Sequence, residues 1–208
     1  MSSVLSALLS VLSLLWALIA INPQTYRPLM LLIGAWAIIR STPTKGKFGQ
    51  AIDAVWVTAA LFSLGWPLAQ GEAFFHRAAN PLPADLVAGA AAIVVVLEAA
   101  RRAAGWIPPI VTAAFLTYAM FGRGHSLPRL IGDSFMSLKG LYGAPLGVAS
   151  SYVVLAAIAL TFLTVQGDWL VPKRFLEALV SGGRRALPLI ALAAVVGVIL
   201  ATLGGAGL

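Results

Sequence analysis

Long apolar runs without a charged residue occupy most of this 208-residue chain. A helix needs about 20 mostly apolar residues to cross a bilayer, because the hydrocarbon core is roughly 30 Å thick and each helical residue adds about 1.5 Å. Seven runs reach or approach that length, at residues 4–21, 28–39, 54–69, 86–97, 103–121, 141–166 and 186–208. They predict an all-α fold, a polytopic membrane helix bundle with about seven transmembrane helices.

The composition excludes an ordinary soluble domain. Hydrophobic residues make up 60% of the chain and charged residues 10%, and the mean hydropathy is +0.94, whereas soluble domains carry about 25% charged residues. The second and fourth runs are short, and they span only if flanking arginines extend to the lipid headgroups: Arg27, Arg40, Arg101 and Arg102. The pair Pro108 and Pro109 can break the stretch 86–121 into a re-entrant pair of helices.

The net charge of +7 indicates membrane topology rather than nucleic-acid binding. The basic residues lie between apolar runs and form no long solvated run, so no nucleic-acid partner is predicted. Nine lie on the side of the N-terminus: Arg40, Lys45, Lys47, Arg101, Arg102, Lys173, Arg174, Arg184 and Arg185. Five lie opposite: Arg27, Arg77, Arg123, Arg129 and Lys139. The positive-inside rule therefore predicts a cytoplasmic N-terminus.

The segments between the runs are predicted to be surface elements. Residues 41–50 are rich in turn formers and predict a short hairpin connection, and residues 70–84 are polar enough to form an external surface loop. Residues 124–140 and 172–186 have the apolar spacing of two interfacial amphipathic helices. Gly182 and Gly183 are expected to end the second of these helices.

A cluster of opposite charges adjoins the fourth run. Glu98 lies three and four residues before Arg101 and Arg102, so all three can meet on one helical face. A charge near the bilayer suggests a transport role, but the position at a helix end favours a structural clamp or interface anchor. Asp53 opens the third run and is predicted to cap its helix.

Other polar and small residues favour packing over chemistry. Gly143 and Gly147 stand four apart and predict a helix-packing face. The hydroxyls of Ser150 and Ser151 are expected to bond the preceding turn or a neighbouring helix. His76 and His125 lack acids at ligand spacing, so no metal site is predicted. The sequence has no set of nucleophile, base and orienting group, and an enzyme is not expected.

Three stretches resemble one family of secondary transporters. Residues 97–106 read LEAARRAAGW and are followed from residue 108 by PPIVTAAFLTYAMFG, and residues 139–153 read KGLYGAPLGVASSYV. Both resemble fused permeases of the tripartite ATP-independent periplasmic (TRAP) transporters, particularly those paired with TAXI-type solute receptors, and they cover residues 1 to about 165 in the family's order. Residues 177–191, EALVSGGRRALPLIA, resemble a later stretch of the large membrane domain.

The resemblance implies three segments: residues 1–122 are like the small membrane subunit, residues 123–167 are like an interfacial helix and first span of the large domain, and residues 168–208 form an interfacial helix and a terminal span. The family's elevator domain binds sodium and substrate through Gly/Ser/Asn/Thr-rich hairpin tips, and this chain has no such sequence. Sodium coupling is thus implied only for the large domain, and no cofactor, sodium-binding or substrate-binding residue is assigned here.

The implied function is a membrane subunit or scaffold of a TRAP-type secondary transporter for organic acids, in the bacterial inner membrane. Its implied partners are the lipid bilayer, a large permease subunit and a periplasmic solute receptor. The alternative is a small non-transporting integral membrane protein or a shortened permease remnant.

Overall fold

The computed structural model describes residues 2–19, 22–156, 158–159 and 172–204. It is 85% helical, and the described residues contain no β-strand, which confirms the all-α fold. Its α-helices include α1 (Ser2–Ile19), α2 (Pro23–Ser41), α3 (Gly46–Gln70), α4 (Glu72–His76), α5 (Pro83–Ala104), α6 (Ile107–Thr117), α7 (Leu127–Phe135), α8 (Ala144–Val148) and α9 (Pro172–Gly204). The π-helical segments Tyr118–Gly122 and Ala149–Val153 extend α6 and α8.

Local sequence explains where the helices begin and end. The side chain of Asn22 caps α2 by accepting the backbone N–H of Gln24 at 2.9 Å. Gly105 has a φ of +87° between α5 and α6, a conformation that glycine adopts without steric cost. Pro108 and Pro109 lie in the first turn of α6, where a missing N–H breaks no helical bond. The chain therefore turns at Gly105, and the proline pair starts a helix instead of breaking one.

Helix α9 lies at the centre of the bundle. It packs against α1, α2, α5, α6, α7 and α8, whereas α3 packs mainly against α2 and α5. In the most apolar stretch of α9, 56% of the residues are buried inside the bundle, compared with 33% in the corresponding stretch of α3. All three predicted segments contribute to one core, for example through Leu31, Leu146 and Ile190.

The predicted helix end at Gly182 and Gly183 is wrong, because α9 continues without interruption from Pro172 to Gly204. Gly182 and Gly183 lie inside it. A Cβ atom at Gly183 would overlap the backbone oxygen of Ser6 in α1, and one at Gly182 would lie 2.8 Å from Cγ1 of Ile158. These glycines allow close helix packing, as small residues do in membrane bundles, and that packing outweighs their poor helix propensity.

The helix predicted within residues 124–140 is present over the shorter range of α7. Leu130, Ile131 and Phe135 are buried, and the ring of Phe135 packs at Gly89 of α5, where a Cβ would lie 2.9 Å from Cδ1. Arg129 is exposed, and the partly exposed Asp133 lies 3.8 Å from it as an ion-pair partner. The amphipathic pattern is therefore confirmed, and its apolar face covers α5.

Among the described residues, three helices are long and apolar enough to cross a membrane, fewer than the seven predicted: Gly46–Gln70, Pro83–Ala104 and Leu176–Leu203. Shorter apolar helices occur at Val4–Trp16, Ile107–Gly122 and Ala144–Ala156. Helix α2 contains 19 residues but is less apolar than α1 or α6, because arginines lie near both of its ends. The predicted run 141–166 extends beyond the described residues.

Candidate functional site

The predicted charges gather at the end of α5 and bind α3 as well. Glu98 accepts the Nε–H of Arg101 at 2.7 Å and the Nε–H of Arg102 at 2.6 Å. Arg102 Nη1 also lies 2.8 Å from Oδ1 of Asp53 on α3. Asp53, Glu98, Arg101 and Arg102 are called the Glu98 cluster below. With two acids and two bases, the cluster is electrically neutral.

The Glu98 cluster is largely shielded from solvent. The side chains of Arg102 and Glu98 are only 5% and 10% exposed, and that of Arg101 is 33% exposed. The guanidinium carbon of Arg101 lies 5.0 Å from the ring centroid of Trp106, within cation–π range. The arginines therefore already have acidic and aromatic partners, and none is left over for a soluble anion.

The expectation that Asp53 caps its helix is wrong, because α3 begins at Gly46 and Asp53 lies two turns inside. Its carboxylate instead accepts the backbone N–H of Thr44 at 2.8 Å and the hydroxyl of Thr44 at 2.9 Å. Arg102 donates to the carbonyl oxygen of Thr42 at 3.1 Å. The connection predicted at 41–50 is thus a shorter turn, residues 42–45, held by two members of the Glu98 cluster.

A second ionic cluster, made of Trp66, Arg77 and Asp85, lies at the other end of α5 and is called the Asp85 cluster. Asp85 is fully buried, yet its carboxylate accepts four hydrogen bonds. Arg77 donates from Nε at 2.8 Å and from Nη2 at 2.9 Å, Trp66 donates from Nε1 at 2.8 Å, and the backbone N–H of Leu82 donates at 3.0 Å. Hydrogen bonding to Asp85 raises the pKa of Arg77 above its usual value.

Sequence reasoning missed the Asp85 cluster, because residues 70–84 were predicted to be an external loop. That segment contains α4, whose Phe74 is fully buried, and it folds Arg77 back onto α5. The available signal was local: Asp85 lies in the first turn after Pro83, a position that favours an acid. Its partner Trp66 is 19 residues away and could not be identified from spacing.

The two clusters join the same pair of helices at opposite ends. Asp85 and Glu98 are 13 residues apart, which corresponds to about 20 Å along a helix. Between them α5 contains no charged residue. Helices α3 and α5 therefore form an antiparallel hairpin with an apolar middle. The Asp53–Arg102 ion pair joins them at one end, and the hydrogen bond from Trp66 to Asp85 joins them at the other.

A polar layer also joins α1, α2 and the π-helical end of α8. The carbonyl oxygen of Ser150 accepts hydrogen bonds from the Ser13 hydroxyl at 2.8 Å and the Tyr26 hydroxyl at 2.7 Å. The hydroxyls of Ser150 and Ser151 donate to the carbonyl oxygen of Gly147 at 3.3 and 2.8 Å, which confirms the predicted bonds to the preceding turn. This layer satisfies buried polar groups within the bundle.

The predicted glycine pair occupies two different environments. Gly143 is the N-cap residue that precedes α8, and a Cβ there would lie 2.7 Å from the carbonyl oxygen of Gly140 in the preceding turn. Gly147 faces the guanidinium of Arg27, and a Cβ there would lie 3.0 Å from Nη2. The Arg27 Nη1–H donates to the carbonyl oxygen of Tyr142 at 2.8 Å. Gly147 thus makes room for an arginine from α2.

Among the described residues, no three His, Asp or Glu side chains are grouped to hold a metal ion. Comparisons with protein-family models, with curated proteins and with solved structures find no match to the chain. The TRAP resemblance therefore remains a prediction from three sequence stretches.

Proposed function

We propose that this chain is a membrane-embedded scaffold subunit of a secondary transporter, with a large TRAP-type permease subunit as its partner. The observation that carries the scaffold role is the neutral, doubly fastened α3–α5 hairpin. Acids and arginines pair with each other at both ends. A hairpin whose acids and arginines are paired with each other is suited to a stationary role beside a moving partner subunit.

The spacing of charges supports a membrane-spanning orientation for this hairpin. Asp85 and Arg102 are 17 residues apart, or about 25 Å along the helix, close to the roughly 30 Å of a hydrocarbon core. The apolar middle presents large side chains outward, since Phe62 is 48% and Val94 is 51% exposed. Such side chains contact lipid or another membrane helix without desolvation cost.

The topology proposed for the whole chain has seven spans in the inner membrane, with the N-terminus in the cytoplasm. Support comes from the basic residues, which number nine on one side and five on the other. In this orientation the Glu98 cluster and the turn at 42–45 face the cytoplasm. The Asp85 cluster and α4 face the opposite side.

Co-purification in a mild detergent tests the partner. We expect a large TRAP subunit encoded beside this gene to co-elute with the tagged chain. The chain contains no cysteine, so single cysteines introduced at Phe62, Val94 and Ile110 can be cross-linked without background. Cysteine at the fully buried Leu64 is the matched control. Cross-links from an exposed position and none from Leu64 would support a specific contact.

Transport by the chain alone would contradict the scaffold role. We expect no sodium-dependent uptake after reconstitution, because alternating access needs a mobile element with a binding site near the bilayer midplane. The second candidate function is a small non-transporting membrane protein, which the TRAP-like stretches do not favour. It would be preferred if no large subunit gene and no receptor gene lie nearby and no partner co-elutes.

A further inference from the structure

Arg27 is a half-buried cation for which the described residues provide no acidic partner. Arg77, Arg101 and Arg102 each form an ion pair of 2.8 Å or less, whereas no carboxylate of the described residues lies within salt-bridge distance of Arg27. Its hydrogen-bond partner is the carbonyl oxygen of Tyr142. A partly desolvated cation without a counter-charge is unfavourable, so an anion at this position would be stabilising.

The guanidinium of Arg27 lines a half-open cavity of about 240 Å³. Trp16 and Tyr26 form one wall, with ring centroids 5.2 Å apart and ring planes at 22°. Gly147 and Ser151 line it from the α8 side. The absence of a side chain at Gly147 is what leaves the guanidinium accessible.

The hydrogen bonds of Arg27 leave most of its donors available. A guanidinium has five N–H groups, and one donates to Tyr142 within the described structure. The planar fork of the remaining donors matches the oxygens of a phosphate or carboxylate group. The cavity thus combines an unused oxyanion-binding fork with an aromatic wall.

The position of the cavity near one end of α2 favours the phosphate of a lipid over other oxyanions. Arg27 lies four residues, or about 6 Å, from the start of α2. At that same end Asn22 and Glu72, both exposed, are joined by a 3.3 Å hydrogen bond. In the membrane orientation proposed above, this end of α2 lies beside the lipid headgroups, where tryptophan and tyrosine are enriched. This orientation favours the phosphate of a lipid headgroup over a soluble oxyanion.

We propose that Arg27 and the cavity between α1, α2 and α8 bind the phosphate of a phospholipid headgroup. The ring of Trp16, stacked on the buried ring of Tyr26, lies against the glycerol and upper acyl chain. The bound lipid supplies the counter-charge of Arg27 and fastens α2 to α8. Lipid binding at this cavity does not depend on the proposed transporter partner.

Native mass spectrometry of the delipidated chain in detergent tests the site, with short-chain phosphatidylglycerol as the probe. We expect Arg27→Gln to weaken lipid binding at least about tenfold, since hydrogen bonds to a charged group contribute about 1.5–3 kcal/mol. Arg40→Gln is the matched control, because Arg40 is an exposed arginine at the other end of the same helix. It should bind as the wild type does.

Two further variants keep the test decisive if Arg27→Gln fails to fold. Arg27→Lys retains the charge without the planar fork and should bind with intermediate affinity. Gly147→Val retains Arg27 but fills the space beside its guanidinium, so it should weaken binding as strongly as Arg27→Gln. Melting temperatures and elution volumes identify the variants that are folded.

Several results would overturn the proposal. Equal losses of lipid affinity for the variants at Arg27 and Arg40 would show that positive charge attracts the lipid without a specific binding site. Diacylglycerol that binds as tightly as phosphatidylglycerol would exclude phosphate recognition, and inorganic phosphate that binds as tightly would assign the site to a soluble anion. Asp168 is the one acid outside the described residues. Binding that occurs only in Asp168→Asn would show that the chain itself neutralises Arg27.

Discussion

Replacement of Asp85 by asparagine is expected to be the most destabilising polar substitution in the bundle. Asp85 has no exposed surface and accepts four hydrogen bonds, two of them from Arg77. Asparagine preserves the shape but removes the charge, and its NH₂ group would face N–H donors that need an acceptor. The substitution leaves Arg77 without its counter-charge.

The expected loss is about 3 kcal/mol in the free energy of unfolding, the lower end of the 3–5 kcal/mol range for breaking a buried ion pair. The lower end applies because the Arg77 side chain is 23% exposed, so water can solvate part of the unpaired guanidinium. Arg77→Gln combined with Asp85→Asn should destabilise less than the sum of the single changes. The difference reports the coupling between the two side chains.

Unfolding in a mixed-detergent titration with SDS, followed by circular dichroism, measures these losses. The matched control is Asp133→Asn, since Asp133 is 45% exposed and lies 3.8 Å from Arg129. Such surface pairs contribute about 0–1 kcal/mol. If Asp85→Asn and Asp133→Asn give the same loss, the Asp85 cluster does not hold α3 and α5 together and the hairpin is not fastened at that end.

Three further predictions concern packing and topology. Glu98→Ala should destabilise by about 1–3 kcal/mol, and exchanging the charges of Glu98 and its arginine partners should restore part of the loss; a detergent melting temperature equal to that of the wild type would refute the clamp. Gly183→Val should destabilise the bundle by about 3 kcal/mol or more, because the added side chain would overpack against α1. The control Gly65→Ala, with nothing within 4 Å of its Cβ, should be neutral or stabilising by up to about 1 kcal/mol. Equal melting temperatures for the two variants would contradict the close packing of α9 against α1. Single cysteines at Pro43 and at the C-terminus should be labelled from opposite faces of the membrane. A cysteine at Ala79 should be labelled from the same face as the one at the C-terminus. Labelling of the cysteines at Pro43 and at the C-terminus from one face would refute the seven-span topology.

Features that depend on neighbours within one helix were accessible from the sequence. The apolar runs predict most helices because burial in lipid or in a bundle needs continuous hydrophobic surface. Glu98 meets Arg101 and Arg102 because helical geometry brings residues three and four apart onto one face. The amphipathic α7 follows from the same periodicity.

The structural role of two glycines could not be predicted without the tertiary structure. Gly182 and Gly183 have the signature of a helix end, but they lie inside α9 because α1 and Ile158 approach them closely. Glycine in a helix interior costs about 1 kcal/mol relative to alanine, and the packing of a central helix outweighs that cost. The expected interfacial helix and terminal span therefore became one helix of 33 residues.

The sequence by itself determined that the chain is helical, apolar and charged mainly at helix ends, since these properties reside in composition and short-range spacing. Only the tertiary structure decided which polar groups from different parts of the chain meet. Asp53 pairs with Arg102, which is 49 residues away, and Trp66 donates a hydrogen bond to Asp85, which is 19 residues away. Arg27 donates to the carbonyl oxygen of Tyr142, which is 115 residues away. A polar side chain has no preferred partner until the backbone brings one within about 3 Å, and that approach is set by the packing of whole helices.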